Sequence, residues 1–250
     1  MKLAMFRHLQ IGLSLIELMV AMALGLLILS SLGYILVGSR ATYINQDANA
    51  RLQDTGRFSM EFIGRQVRAA AHAAITPIAG DGTVAFGDVP ITASSNATSM
   101  TLQYQLTDEG QQPGEHLIQD CNGNYKNLIP YPLPVTNGSA INRGTVINTI
   151  SFDIADHELQ CDGNGGSAQP FAEGVEELLL GYTADNVTWT ATPGNTVLAV
   201  KVCIRVRSNN QGAVSSSQTY NDCAGSNHTP TDTYLRRTFT SVFSLRSRIP

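Results

Sequence analysis

Charge is scarce in this sequence. Of its 250 residues only 14% are Asp, Glu, Lys or Arg, with a formal net charge of −4. A protein built to follow nucleic acid carries a basic stripe; none is present, so DNA is not expected as a direct ligand. No C-x-x-C pair, nucleophile elbow, phosphate loop or paired-carboxylate motif occurs. The five histidines, His8, His72, His116, His157 and His228, lack the spacing of a metal site or catalytic dyad and read as surface residues. No enzyme, cofactor or metal centre is therefore expected. The polar balance falls instead to Ser, Thr, Asn, Gln and Gly, which suits an extracellular β-rich domain with many turns. The length fits one sizeable domain with an appendage.

Cysteine is also sparse. Cys121, Cys161, Cys203 and Cys223 all lie downstream of a long apolar segment, in what would be the exported part. An even number of thiols in an oxidising compartment reads as two disulfides. Three pairings are open, and the simplest joins sequence neighbours, Cys121 with Cys161 and Cys203 with Cys223. Spacings of this size lack the close ligand pairs of a structural zinc site.

What the sequence does have is a marked N-terminus. Residues 1–12 form a short leader carrying Lys2 and Arg7, and residues 13–38 form an apolar run. Basic residues before a span predict a cytoplasmic leader and an exported remainder. As a helix, 26 residues would reach about 39 Å, enough for a hydrocarbon core of about 30 Å. A secretory signal has a shorter apolar core and ends in small residues, so this segment is expected to stay. Glu17 interrupts it. A carboxylate within an uncharged span costs roughly 2.5–3.5 kcal/mol, so it is expected to have a partner or a use.

The stretch Gly12-Leu13-Ser14-Leu15-Ile16-Glu17 resembles the class III prepilin signal. That resemblance implies cleavage between Gly12 and Leu13 by a prepilin peptidase, which also methylates the new amino terminus at Leu13. The family more often has phenylalanine where Leu13 stands; a bulky apolar residue is kept. It further implies that Glu17 pairs with the freed amine of a neighbouring subunit and sets axial register during assembly.

Beyond the run, Ala41, Ile44, Ala48, Leu52, Thr55, Ser59, Phe62 or Ile63, Val67 and Ala70 recur at helical steps. Residues 39–74 are thus expected to continue the helix as an amphipathic stretch packed on a core, ended by Pro77 and Gly80. From residue 75 to 250 short alternating runs replace that period. Expected strands are Thr83 to Phe86, Ser99 to Leu106, His116 to Gln119, Thr145 to Ile154, Glu158 to Cys161, Val175 to Thr183, Val197 to Arg207 and Arg237 to Leu245. The expected class is α+β and type IV pilin-like: a long N-terminal helix, half of it transmembrane, on a mainly antiparallel β-sheet head with long, disulfide-stapled loops. The loop starting at Asp120 is a weak calcium-loop match, because its twelfth position is Tyr131. Arg236, Arg237, Arg246 and Arg248 alternate with apolar residues and read as an outward strand face.

The blocks Phe171 to Tyr182, Val197 to Ser208 and Leu235 to Pro250 resemble the PilW family of type IV pilus minor pilins. This implies a structural role: a minor pilin that helps start or prime pilus assembly near the tip, supporting twitching, adhesion or DNA uptake. Implied partners are prepilin peptidase, other minor pilins, the major pilin, the inner membrane and its assembly platform. The protein would sit in the bacterial inner membrane with a periplasmic head, then in the surface fibre. Two rival expectations are a type II secretion pseudopilin and a membrane-tethered extracytoplasmic binding or adhesive module.

Overall fold

A computed structural model of the chain describes residues 14–70, 91–94, 97–107, 118–122, 125–126, 143–163, 167–214 and 216–245. One helix, α1, runs from Leu15 to Ala69. The chain divides into two compact units, Met1–Asp47 and Ala48–Pro250, and the helix changes character near that division. Up to Asp47 nearly every described side chain is exposed, including Leu26, Leu29, Ile35 and Val37. From Leu52 onward a buried stripe appears, formed by Leu52, Gly56, Ser59, Ile63, Gly64 and Val67. Leu52, Ser59, Ile63 and Val67 are positions where helical spacing places an inward face. Gly56 and Gly64 are additions to that face. The expected end of the helix at Pro77 and Gly80 lies outside the described residues.

In the second unit every strand pairing among the described residues is antiparallel. The strands are β1 Ile91–Ala93, β2 Ser99–Thr107, β3 Ile118–Gln119, β4 Tyr125–Lys126, β5 Arg143–Asp153, β6 Glu158–Asp162, β7 Gln169–Glu173, β8 Val175–Thr183, β9 Ala199–Arg207, β10 Tyr220–Asn221, β11 Asn227–His228 and β12 Arg236–Ser244. They form not one sheet but a five-stranded sheet in the order β1-β2-β5-β6-β7, a three-stranded sheet in the order β12-β9-β8, and two short ribbons.

Gly174 makes the step from the first sheet to the second. Its φ is +75°, and an added Cβ would lie 2.9 Å from the Arg207 carbonyl oxygen, so a side chain there meets both strain and backbone. With the chain turned at Gly174, the Arg207 amide donates to the Gly174 oxygen at 2.8 Å. Two further bonds hold the sheets together: Val175 N–H to the His157 oxygen and Leu180 N–H to the Ala97 oxygen.

Alternation along the strands supplies the core. Met100 and Leu102 on β2, Ile150 on β5, Leu178 and Leu180 on β8, and Val200, Val202, Ile204 and Val206 on β9 pack with Ile63 and Val67 of the helix in one apolar cluster. Asn148 is fully buried within it. Its amide nitrogen donates to the Gln66 side-chain oxygen at 2.8 Å, and its oxygen accepts from the Cys121 amide at 3.1 Å. One polar side chain thereby ties α1, β5 and the first cystine loop together, and burial is tolerated because both ends are bonded.

Candidate assembly site

Glu17 stands in the first turn of α1, where a carboxylate is favoured by the helix dipole. The Glu17 and Leu18 amides donate to the Ser14 oxygen at 3.0 and 3.2 Å, so Ser14, just before α1, accepts bonds from its first turn. Between Glu17 and Arg40 no charged residue occurs. The serine hydroxyls in that interval are turned back onto the helix: Ser30 donates to Leu27, Ser31 to Ile28 and Ser39 to Leu36, at 2.8 to 3.0 Å. Such bonding neutralises a hydroxyl in an apolar setting. Glu17 has no such satisfaction among the described residues and is exposed. The helix is long and apolar enough to cross a membrane, and its most apolar window is entirely unburied. The expected cleavage pair, Gly12 and Leu13, lies outside the described residues.

On the head, two cystines join Cys121 to Cys161 and Cys203 to Cys223, with Cα atoms 6.1 and 5.7 Å apart. The first links the turn after β3 to β6. The second fastens the 208–235 excursion to the middle of β9. Under that excursion lies an ionic cluster that the sequence reading missed, and it requires a correction. Arg236 was expected on an outward strand face. It does lie on the face of β12 turned away from the helix, but its side chain is only 7% exposed, because the excursion folds back over it.

Arg236 there is gripped from two sides. Its Nε and Nη2 donate to Glu176 at 2.7 and 2.9 Å, and its Nη1 and Nη2 to Asp232 at 2.6 and 2.8 Å. Arg205 and Arg207 reach the same Glu176 at 3.3 and 3.5 Å. The rings of Tyr220 and Tyr234 complete the shell, lying 4.7 Å from the Arg205 and Arg207 guanidinium carbons respectively. Burial alone would raise the Glu176 pKa, but the Arg236 hydrogen bond and three guanidinium charges outweigh it and hold the carboxyl below its usual range. The Arg236 hydrogen bond likewise lowers Asp232 against the opposing effect of burial. Charge thus clamps three strands and a loop. Of the other three arginines in that group, Arg237 is exposed, whereas Arg246 and Arg248 lie outside the described residues.

No group of three or more metal-ligating side chains occurs among the described residues. His228 is paired with Asp222 at 2.7 Å and stacks on Tyr220, centroids 5.6 Å apart, which gives the β10–β11 ribbon a structural tie.

Comparison with known proteins bears on both ends of the chain. Residues 7–33 match the family of the prokaryotic N-terminal methylation motif, and residues 147–247 match the family of type IV pilus-assembly protein W, PilW. The chain carries a PilW-type region behind a prepilin-type N-terminus. The PilW-type region takes in β8, β9 and β12 with the ionic cluster and the second cystine, so the whole three-stranded sheet lies within the matched residues. A type IV-like pilin from Thermus thermophilus is similar in structure, with a TM-score of 0.50 at 9% identity, over 80% of this chain and 100% of that one. At that identity the likeness speaks for the fold: a long apolar helix with an antiparallel head. A search of curated proteins finds no significant match.

Proposed function

We propose that this protein is a minor pilin: a structural subunit that is inserted in the inner membrane by α1, trimmed after Gly12, N-methylated at Leu13 and drawn into a type IV pilus. The head faces the periplasm before assembly, and the subunit helps start or prime the fibre near its tip. The observation that carries this reading is Glu17, alone in an exposed apolar helix segment that matches the methylation motif. A carboxylate in lipid is tolerated where a second charge meets it, and cleavage at Gly12 would create that charge on a neighbouring subunit at Leu13. The role is architectural, and no catalytic step is assigned to the chain.

Intact mass of the membrane-extracted protein tests the first half. It should correspond to a chain beginning at Leu13 with one added methyl group; a chain still beginning at Met1 overturns the reading. Glu17→Ala tests the second half. The variant should be processed normally yet enter fibres at least tenfold less, and unchanged incorporation would remove Glu17 from assembly. Deleting the gene should abolish surface pili; lost exoprotein export with intact pili would assign the chain to a type II secretion pseudopilus.

A further inference from the structure

The three-stranded sheet of the head has two edges, and they are finished differently. The outer edge of β8 is closed. Tyr182 exchanges two backbone hydrogen bonds with Thr190 at 2.8 and 2.9 Å, and Leu180 and Val175 donate to Ala97 and His157 of the neighbouring sheet. Among the described residues the edge of β12 is closed only over its first half, where Thr238 Oγ1 donates to the Asn221 oxygen at 2.5 Å and the β10–β11 ribbon lies alongside.

Among the described residues the second half is open. The Ser208 amide donates to the Leu235 oxygen and the Leu245 amide to the Leu198 oxygen, and the β12–β9 register between them runs without a bulge. Alternation in an antiparallel pair then assigns Arg237, Phe239, Ser241 and Phe243 to the bonds with β9. Thr240, Val242 and Ser244 turn their N–H and C=O groups outward, where no described residue meets them. Their side chains are exposed. The open segment, TSVFS, has no lysine, proline or bulge, the usual means of blunting an edge.

We propose that Thr240 to Ser244 is a docking edge for an extended segment of a partner polypeptide, which joins this sheet as a fourth strand. Outward backbone groups two residues apart, about 6.8 Å in a strand, are met by another strand and by no globular surface. The flanking charges narrow the partner further. Exposed Arg237 precedes the open segment, which is itself uncharged, so the partner segment is uncharged at its centre and acidic where it lies against Arg237. A second copy of this chain fits poorly, because residues 236–245 hold no carboxylate to meet Arg237. The proposal does not rest on the filament reading.

The test uses the full chain in detergent micelles and a synthetic nine-residue peptide of alternating threonine and valine with glutamate at both ends. The peptide should slow amide hydrogen exchange at Thr240, Val242 and Ser244 at least tenfold. Ser241 and Phe243, already bonded to β9, should not change, and a peptide ending in lysine should protect at least threefold less. Val242→Pro should abolish the protection at unchanged melting temperature, because it removes an outward N–H and no bond to β9; Thr240→Pro is the second such variant, should the first fail to fold. The proposal is overturned if the three amides are already slow in the isolated protein, if millimolar peptide leaves them unchanged, or if a folded proline variant still binds.

Discussion

Gly56 and Gly64 lie eight residues apart on α1, about 12 Å, and Phe239 and Phe243 lie four apart on β12, about 13.6 Å. The two spacings nearly coincide, and each phenylalanine ring occupies the place where the Cβ of one of these glycines would stand. Gly25, Gly33 and Gly38, in the exposed part of the same helix, have open space at that position. The contrast separates two glycines that admit a ring from three that do not. Alanine at Gly56 would gain about 1 kcal/mol in helix propensity but force a packed ring aside, at about 1–3 kcal/mol. Gly56→Ala and Gly64→Ala should each lower stability by up to about 2 kcal/mol in urea unfolding, and Phe239→Leu should relieve much of the first loss but not the second. These glycines were illegible in the sequence for a physical reason. Helical spacing identifies apolar positions, and a residue without a side chain registers as a gap in the stripe rather than as the socket for someone else's ring.

Among the elements, the long alternating strands were legible, as were β6 and, within His116 to Gln119, β3. Val175 to Thr183 was read at its observed bounds, and the expected strand from Ser99 runs to Thr107. β7 was missed because Pro170 argues against a strand; it is tolerated there because β7 is at a sheet edge. The two-residue strands β4, β10 and β11 carry too few residues to show a period. Arg236 failed differently. Alternation assigned it correctly to the face away from the helix, but no local pattern announces that residues 208–235 return to cover that face. The consequence is a pH dependence. Glu176 and Asp232 have folded pKa values below the unfolded ones, so the stability they contribute is present above the unfolded values, about 4, and is lost as pH falls through the folded ones. The melting temperature should therefore drop steeply below about pH 4. Glu176→Gln should flatten that limb and cost about 3 kcal/mol at pH 7, the low end for a broken buried pair because Asp232 remains on Arg236. An acid limb as steep as that of the unaltered protein would place the dependence elsewhere.

At the scale of the whole molecule, the sequence was most informative where solvent changes. A run of apolar residues with one carboxylate specifies its environment without reference to the rest of the chain, and the change from helical to alternating period is visible in any window. What could not be read was how the strands group into two sheets, since that depends on Gly174 and on bonds between residues far apart in sequence. The division of the chain does make a strong prediction. The first helix side chain fully drawn into the apolar core is Leu52, and tolerance to truncation follows burial of the affected backbone rather than position in the chain. A fragment spanning Ala48–Pro250 should therefore fold without detergent, elute as a monomer and show no free thiol when denatured. A fragment beginning at Glu61 discards Leu52, Gly56 and Ser59, leaving Phe239 without its socket, and should aggregate or expose thiols. If the two fragments behave alike, the N-terminal part of the packed stripe contributes little to the head; if the longer one needs detergent, the exposed apolar surface extends past Ala48.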